Sequence, residues 1–321
     1  MNLKAIANEW AGRVRGRVAL DHPLAGLTTY RLGGPAALYL EPEDADDVAA
    51  LADVLHDAGE HVPLLPMGRG SNMVISDQGF DGIVIRLGMK FAWIRAKAGD
   101  GAAATGMIAG ASTSLPLLAN WAARRSLTGM EFAVAIPGSV GGGVRMNAGA
   151  HGTEISDTLE SVQLFDLVEH RIATLGAGDL GLSYRRSNLT SDQVVLDATF
   201  DLTPGDEADI RDSMETYRRH RVETQPGALQ NAGSVFKNPE GDWAGRLVEA
   251  AGLKGFRVGT VAVSELHANF FVAEDGGRAQ DVYDLVYLVR ARVQELFGVD
   301  LEPEIRFVGM FEAPERSRGP W

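Results

Sequence analysis

A two-domain α+β protein is what this sequence predicts, and three observations carry that expectation. The 321 residues are 45% hydrophobic and 23% charged, enough apolar content for two domains that each bury a core. The first two thirds of the chain is built of short β-branched runs punctuated by glycine, with helical periodicity in only a few places. From "IRDSMETYRRHRVETQP" onward the pattern turns helical, which sets the expected boundary near Thr203-Pro204-Gly205.

The elements follow in order. "MNLKAIANEWAGRVRGRV" mixes charges at helical spacing and does not form the apolar core of a secretion signal, so residues 1–26 read as an N-terminal helical segment. In "PEDADDVAALADVLHDAG" acidic residues come early, Val48, Leu51 and Leu55 recur at helical spacing, and Gly59 stands where a C-cap belongs. "HVPLLPMGRGSNMVISDQGFDGIVIRL" and "FAWIRAKAGDGAAATGMIAG" read as strands, and "TSLPLLANWAARRSLTGM" as the next helix. The first domain therefore spans 27–204 and the second 205–312, leaving 313–321 as a disordered tail. The second domain holds a charged helix, an irregular Pro/Gly/Asn stretch, a helix in "WAGRLVEAAGLKG" and a long one in "AQDVYDLVYLVRARVQELFG". In that last helix Val282, Leu285, Val286, Val289, Val293 and Leu296 are expected to line one buried face, ended by Gly298.

Composition removes several functions. No apolar run is long enough to cross a bilayer, which points to a cytoplasmic protein with no membrane partner. Without cysteine there are no disulfides, no thiolate metal ligands and no cysteine nucleophile. A formal charge of −13 repels polyanions, so nucleic acid is a poor partner. Any phosphate-bearing ligand must be held by local backbone donors and a few arginines.

Two glycine-rich stretches suit that demand. "MGRGSN" is followed by further strand and not by a helix, so it is no Rossmann fingerprint, and by itself a Gly-x-Gly reads first as a tight hairpin. "IPGSVGGGVRMNAGAHG" adds a second run of glycines with Ser139 and Asn147. Bare backbone lets consecutive N–H groups approach pyrophosphate oxygens without net positive charge. Two such loops in one domain suggest a diphosphate nucleotide cofactor clamped between layers of strands.

"GRGSN", "IPGSVGG" with "MNAGAHG", "LSYRRSNL", "NAGSVFKNP", "AGLKG", "SELHANFFV" and "LEPEIRF" occur in an order and spacing that resembles the UDP-N-acetylenolpyruvoylglucosamine reductase family (MurB), in its shorter class. The resemblance runs from about Leu27 to Gly309. It implies non-covalent FAD in an N-terminal domain of the vanillyl-alcohol-oxidase (PCMH) type, and a smaller α+β domain that binds the substrate. It also implies NADPH as hydride donor, UDP-N-acetylglucosamine enolpyruvate as substrate and a place in peptidoglycan precursor synthesis; the oligomeric state stays open, with a monomer as the default.

Position by position, the resemblance implies catalytic roles for Arg185, Ser234 and Glu304. It assigns the cofactor to Arg31, to Gly68, Arg69, Gly70, Ser71, Asn72 and Met73, to Ile136, Pro137, Gly138, Ser139, Gly141, Gly142, Asn147 and Gly149, and to Arg221 and Arg306. Substrate contacts fall to Lys237, Asn238, His267 and Asn269. The chain departs from the family pattern at Thr224, where a basic residue is usual, at Ala135, where glycine is, and at His151, where tyrosine is.

The residue types suit the implied reduction. Hydride addition to an enolpyruvyl ether leaves negative charge on the adjacent carbon and its carboxylate, and the planar fork of Arg185 matches a carboxylate as lysine would not. The basic carbon can take a proton from a weak acid, so Ser234 needs no partner base. Glu304, held by Pro303, could orient substrate or lend a proton in a dry site. His151 and His267 lack a second ligand at metal spacing and read as packing or hydrogen-bonding residues; no metal is expected. The rival readings are an FAD-dependent oxidase of the same fold and a non-catalytic flavin or UDP-sugar binder.

Overall fold

The structure, a computed structural model, describes residues 3–58, 62–98, 104–227 and 229–314. The expected cap at Gly59 and the expected tail from residue 315 on lie outside them. In chain order the elements begin with α1 (Leu3–Ala11), β1 (Arg17–Pro23), β2 (Pro35–Glu41), α2 (Ala45–Ala58), β3 (Leu64–Pro66), β4 (Met73–Ile75), β5 (Phe80–Ile85), β6 (Ile94–Ala98) and β7 (Ala104–Gly110). They continue with α3 (Leu115–Ala123), β8 (Leu127–Thr128), α4 (Val140–Arg145), β9 (Gly149–Ala150), β10 (Thr153–Glu154), β11 (Leu159–Asp166), β12 (Arg171–Gly176), β13 (Gln193–Asp201) and β14 (Thr203–Pro204). The remainder is α5 (Glu207–Thr224), α6 (Ala244–Ala250), β15 (Arg257–Val258), β16 (Val261–Val263), β17 (Phe271–Ala273), α7 (Ala279–Phe297) and β18 (Arg306–Val308).

These elements form two compact units, neither continuous in sequence. The first comprises the stretch ending at Asp21 with Ala37–Arg69 and Gly82–His220; the second comprises His22–Ala36, Gly70–Asp81 and the stretch beginning at Arg221.

The first unit is organised by an antiparallel five-stranded sheet in the order β12-β11-β13-β7-β6. Side chains along β13 divide between two cores: Val195 and Ala198 pack with α3 and α4 in one, while Val194 and Leu196 pack with α1 and α2 in the other, the simple alternation being broken by a register shift where Val195 and Asp197 pair with consecutive residues Leu164 and Gln163. A strand covered on both faces carries an apolar run without polar alternation, and "VVL" at 194–196 is such a run. A second sheet, β1-β2-β5-β3, adds the parallel pair Leu64↔Ile83 through Pro66↔Ile85. The second glycine stretch is not loop throughout, because Val140–Arg145 is helical. There glycine serves packing: a Cβ at Gly141 would lie 3.1 Å from the Ala111 Cβ and one at Gly143 would lie 3.2 Å from Leu115 Cδ1.

The second unit pairs a three-stranded sheet, β15-β16-β17, with α6 and α7. Val282, Leu285, Val286, Val289 and Val293 are fully buried along one face of α7, and Gly298 closes the helix in the left-handed conformation, φ 69°. Leu296 corrects the expected stripe. It is 44% exposed, because the last turn of α7 runs beyond the core its earlier turns cover. At the other end of α7, the Asp77 carboxylate accepts the amides of Ala279 and Gln280 at 2.8 and 3.0 Å, supplying the cap that the N-cap residue Arg278 cannot. β18 pairs in parallel with β4, Arg306 opposite Met73.

Candidate active site

In the first unit, the end of β3 delivers Gly68 against Ser139, the residue before α4. A Cβ at position 68 would stand 2.5 Å from Ser139 Oγ. Ser139 is 2% exposed and its hydroxyl is buried with no hydrogen-bond partner among the described residues. A buried hydroxyl left orphaned is destabilising by about 1–3 kcal/mol unless something outside the chain satisfies it. Arg86 steadies the loop by donating its Nε to the Gly68 carbonyl at 3.3 Å. Of the other positions expected to hold the cofactor here, Ile136, Gly138, Gly141 and Gly142 are half-buried, while Arg69 and Pro137 are exposed.

Asn147 is fully buried with φ 40°, and its side chain is a junction. Its Nδ2 donates to Glu154 Oε1 at 2.8 Å and to the Ser183 carbonyl at 3.2 Å, while its Oδ1 accepts the Ser156 amide at 2.9 Å. This ties the glycine stretch to the hairpin that carries Arg185, where Ser183 and Arg186 pair. Arg185 is half-buried at φ 57° and donates Nη2 to the Gly149 carbonyl at 2.8 Å. Arg145, which the sequence motifs do not single out, secures the same hairpin: its guanidinium donates to the carbonyls of Leu189, Thr190 and Gln193 at 2.8–3.1 Å, and Ser187 Oγ donates to its backbone oxygen at 2.7 Å. A single arginine inside a glycine-rich run was the available signal.

His151 follows at φ 55°, its ring stacked on Tyr217 with centroids 4.0 Å apart and planes 8° from parallel. The His220 ring meets it edge-on at 5.4 Å. Burial lowers the His151 pKa below its ordinary value, and repulsion from a protonated His220 lowers it further. Asn147, His151 and Arg185 thus all hold left-handed backbone, a conformation that costs a non-glycine residue about 1 kcal/mol or more and persists where surrounding contacts impose it.

In the second unit, two expected sets of site residues meet. Asn72 Nδ2 donates to the Glu304 carbonyl at 3.1 Å, and the Asn72 carbonyl accepts the Arg306 amide at 3.0 Å. Gly70, φ 61°, accepts the Thr29 amide at 3.3 Å beside Arg31, itself exposed at φ 54°. Ser71 is half-buried and Met73 buried. The Val235 carbonyl accepts the Glu304 amide at 2.7 Å, so the segments carrying Ser234 and Glu304 lie side by side, with Phe236 paired to Pro303. Ser234 is half-buried, with no hydrogen-bond partner for its hydroxyl among the described residues.

Around it, Lys237 forms an ion pair with Glu302 at 2.7 Å, and Asn238 Oδ1 accepts the Ala244 amide at 3.1 Å. His267 Nδ1 accepts the Asn269 amide at 3.1 Å, which places its neutral-state proton on Nε2. Asn269 is buried and bonded through its side chain to both backbone groups of Phe236. Burial lowers the pKa of the Arg221 guanidinium, and that of Arg306 as well, although solvent reaches the latter side chain. Among the described residues, no cluster of three or more His, Asp or Glu could hold a metal ion, and no helix is long and apolar enough to cross a membrane.

Comparison with known proteins joins these observations. Residues 36–174 match a family described as an FAD binding domain, and residues 225–308 match the C-terminal domain of UDP-N-acetylenolpyruvoylglucosamine reductase. The reductase of that name from Rubrobacter xylanophilus is 44% identical over 90% of this chain and 94% of its own length. One from Symbiobacterium thermophilum is 43% identical over 92% of this chain and 93% of its own. The crystal structure of the reductase from Thermus caldophilus superposes with a TM-score of 0.76 at 36% identity, covering 92% of this chain and 99% of that one. The α+β expectation, with an FAD-binding domain first and a reductase-type domain second, is met. Matched in both parts, in order and over nearly its whole length, the chain belongs to the UDP-N-acetylenolpyruvoylglucosamine reductase family of oxidoreductases.

Proposed function

We propose that this protein reduces UDP-N-acetylglucosamine enolpyruvate to UDP-N-acetylmuramate with NADPH, holding FAD on the two glycine stretches and protonating the product through Ser234. The observation that carries the reading is the 2.7 Å bond from the Glu304 amide to the Val235 carbonyl, which holds the hydroxyl of Ser234 and the carboxyl of Glu304 on adjacent strands of backbone.

The residues present fit FAD. The orphaned Ser139 hydroxyl beside the bare Cα of Gly68 is a donor waiting for an acceptor, and backbone amides of the glycine stretches match diphosphate oxygens. Asn147, fully buried with its side-chain amide engaged inside the chain, would shape that hold without touching the cofactor. FAD, when bound and charged by NADPH, supplies the hydride for the methylene carbon of the enolpyruvyl ether.

The protein's own groups supply the rest. Arg185, fixed by Gly149 and by the hairpin that Arg145 secures, meets the substrate carboxylate with a planar fork and stabilises the charge that develops there. Ser234 gives its proton to the adjacent carbon and recovers one from solvent, so a hydride and a proton add across the double bond. Glu304 orients the carbon toward that hydroxyl. Lys237 and Asn238 hold the anionic sugar nucleotide.

The test is spectroscopic. Purified protein should show flavin absorbance; anaerobic NADPH should bleach it, and UDP-N-acetylglucosamine enolpyruvate should restore it rapidly, while oxygen does so slowly. A protein that takes up no FAD, or one that oxygen recolours quickly and the enolpyruvyl sugar does not, ends this reading.

A further inference from the structure

We infer that Asn269 is a positioning residue for the proton transfer, acting through Phe236 and not by touching substrate. The inference rests on Ser234 being the proton donor. Three hydrogen bonds run between Asn269 and the two residues after Ser234: Val235 N to the Asn269 carbonyl at 2.8 Å, Phe236 N to Asn269 Oδ1 at 2.9 Å, and Asn269 Nδ2 to the Phe236 carbonyl at 2.8 Å. The side chain thus closes a ring with the backbone of one residue, accepting from the Phe236 N–H and donating to the Phe236 C=O. Asn269 is 3% exposed and Phe236 1%, so these bonds form away from water, where leaving one unmade is most costly.

The geometry fixes the amide's orientation. Turning it over would set NH2 against an N–H and oxygen against a carbonyl, two repulsions in place of two bonds. On its far side the same segment is tied to Glu304, through the Val235 carbonyl. Asn269 and Glu304 therefore grip Val235–Phe236 from opposite sides, and the residue whose placement this determines is Ser234. Phe271 adds a ring contact to Phe236, edge-on at 6.0 Å, which packs the segment but does not set its register.

Asn269→Asp separates positioning from other roles. A neutral Asp carboxyl can accept from Phe236 N–H and donate to Phe236 C=O as the amide does. Once ionised it only accepts, and it faces a carbonyl oxygen. Burial raises the pKa of such a carboxyl, so the switch falls within a workable pH range. In the FAD-loaded variant, bleaching by NADPH should stay within threefold of the parent, as should the dissociation constant for the enolpyruvyl sugar. Recolouring by that sugar should fall by about a hundredfold at neutral pH, the usual scale of a misplaced general acid, and recover as pH is lowered. Asn269→Ala should show the same selective loss without the recovery, with faster amide exchange confined to the peptide containing Phe236.

A raised dissociation constant with an unchanged limiting rate would make Asn269 a substrate ligand and overturn the inference. Equal loss of both half-reactions in both variants would overturn it in favour of a general structural role. Ser234→Ala, measured alongside, separates the two readings. If it recolours at the parental rate, the proton-donor assignment falls and this inference falls with it; if it fails while both Asn269 variants recolour normally, only the inference falls.

Discussion

Gly68 and Ser139 face each other so closely that a single added carbon on the first would sit 2.5 Å from the hydroxyl of the second. Ser139 Oγ is buried there and unpaired among the described residues. Gly68→Ala should displace the hydroxyl and weaken FAD retention by roughly tenfold, the lower end of an overpacking penalty of about 1–3 kcal/mol. In the double variant Gly68→Ala with Ser139→Ala the nearest remaining contact is the Ser139 Cβ at 3.7 Å, an ordinary one, so part of the lost affinity should return. Equilibrium titration of the apoprotein with FAD measures both. Wild-type affinity in the single variant would remove the floor assigned to Gly68.

Arg185→Lys keeps the charge but loses the fork and the fixed bond to Gly149. We expect kcat/KM for the enolpyruvyl sugar to drop by about 10²–10³, the usual consequence of losing one aligned donor to developing charge, while the rate of bleaching by NADPH is unchanged. Stopped-flow absorbance separates the two steps. A loss shared equally between them would place Arg185 outside the substrate half-reaction.

The His151 ring titrates below the ordinary imidazole value of 6.5 because it is desolvated and faces His220. Its folded pKa lies beneath the unfolded one, so its contribution to stability is fully present above the unfolded value. As pH falls through that value the unfolded chain takes up the proton first, and stability declines until the folded pKa is passed. The melting temperature should therefore fall between about pH 8 and pH 5, and His151→Tyr, which keeps a ring against Tyr217 without the titration, should flatten the fall. Scanning calorimetry across that range decides it; an unchanged slope would mean other groups set the acid limit.

Truncations in α7 should distinguish core from periphery. Leu285→Ala empties a fully buried site and should cost about 2–5 kcal/mol in urea unfolding, whereas Leu296→Ala, at a position 44% exposed, should stay within about 0.5 kcal/mol. Equal effects would contradict the placement of the last turn.

Leu296 also shows where the sequence stops being informative. Periodicity identifies the helix and the face that includes Val282 and Leu285, but the extent of the core against its last turn depends on elements far along the chain. Gly298, by contrast, is a local signal, and its left-handed cap was legible. The glycine stretches were legible as unusual, yet not that Gly141 and Gly143 belong to a helix pressed on Ala111 and Leu115. For the site, motif order named Ser234 and Glu304, but only backbone pairing between Val235 and Glu304 shows how they become neighbours. Arg145 and Arg86 do not stand out in the sequence because their partners are main-chain carbonyls, which leave no trace in residue type.

The parallel pairing of Met73–Ile75 with Arg306–Val308 has a consequence for synthesis on the ribosome. A nascent chain exposes its 73–75 segment long before the partner strand is translated, and until then that edge offers unpaired amides and carbonyls to any other emerging polypeptide. Chains released early, short of residue 306, keep this edge open for good. Premature termination before residue 306 should therefore yield aggregates in place of shortened enzyme, and chaperone demand during translation should track the delay before residues 306–308 appear.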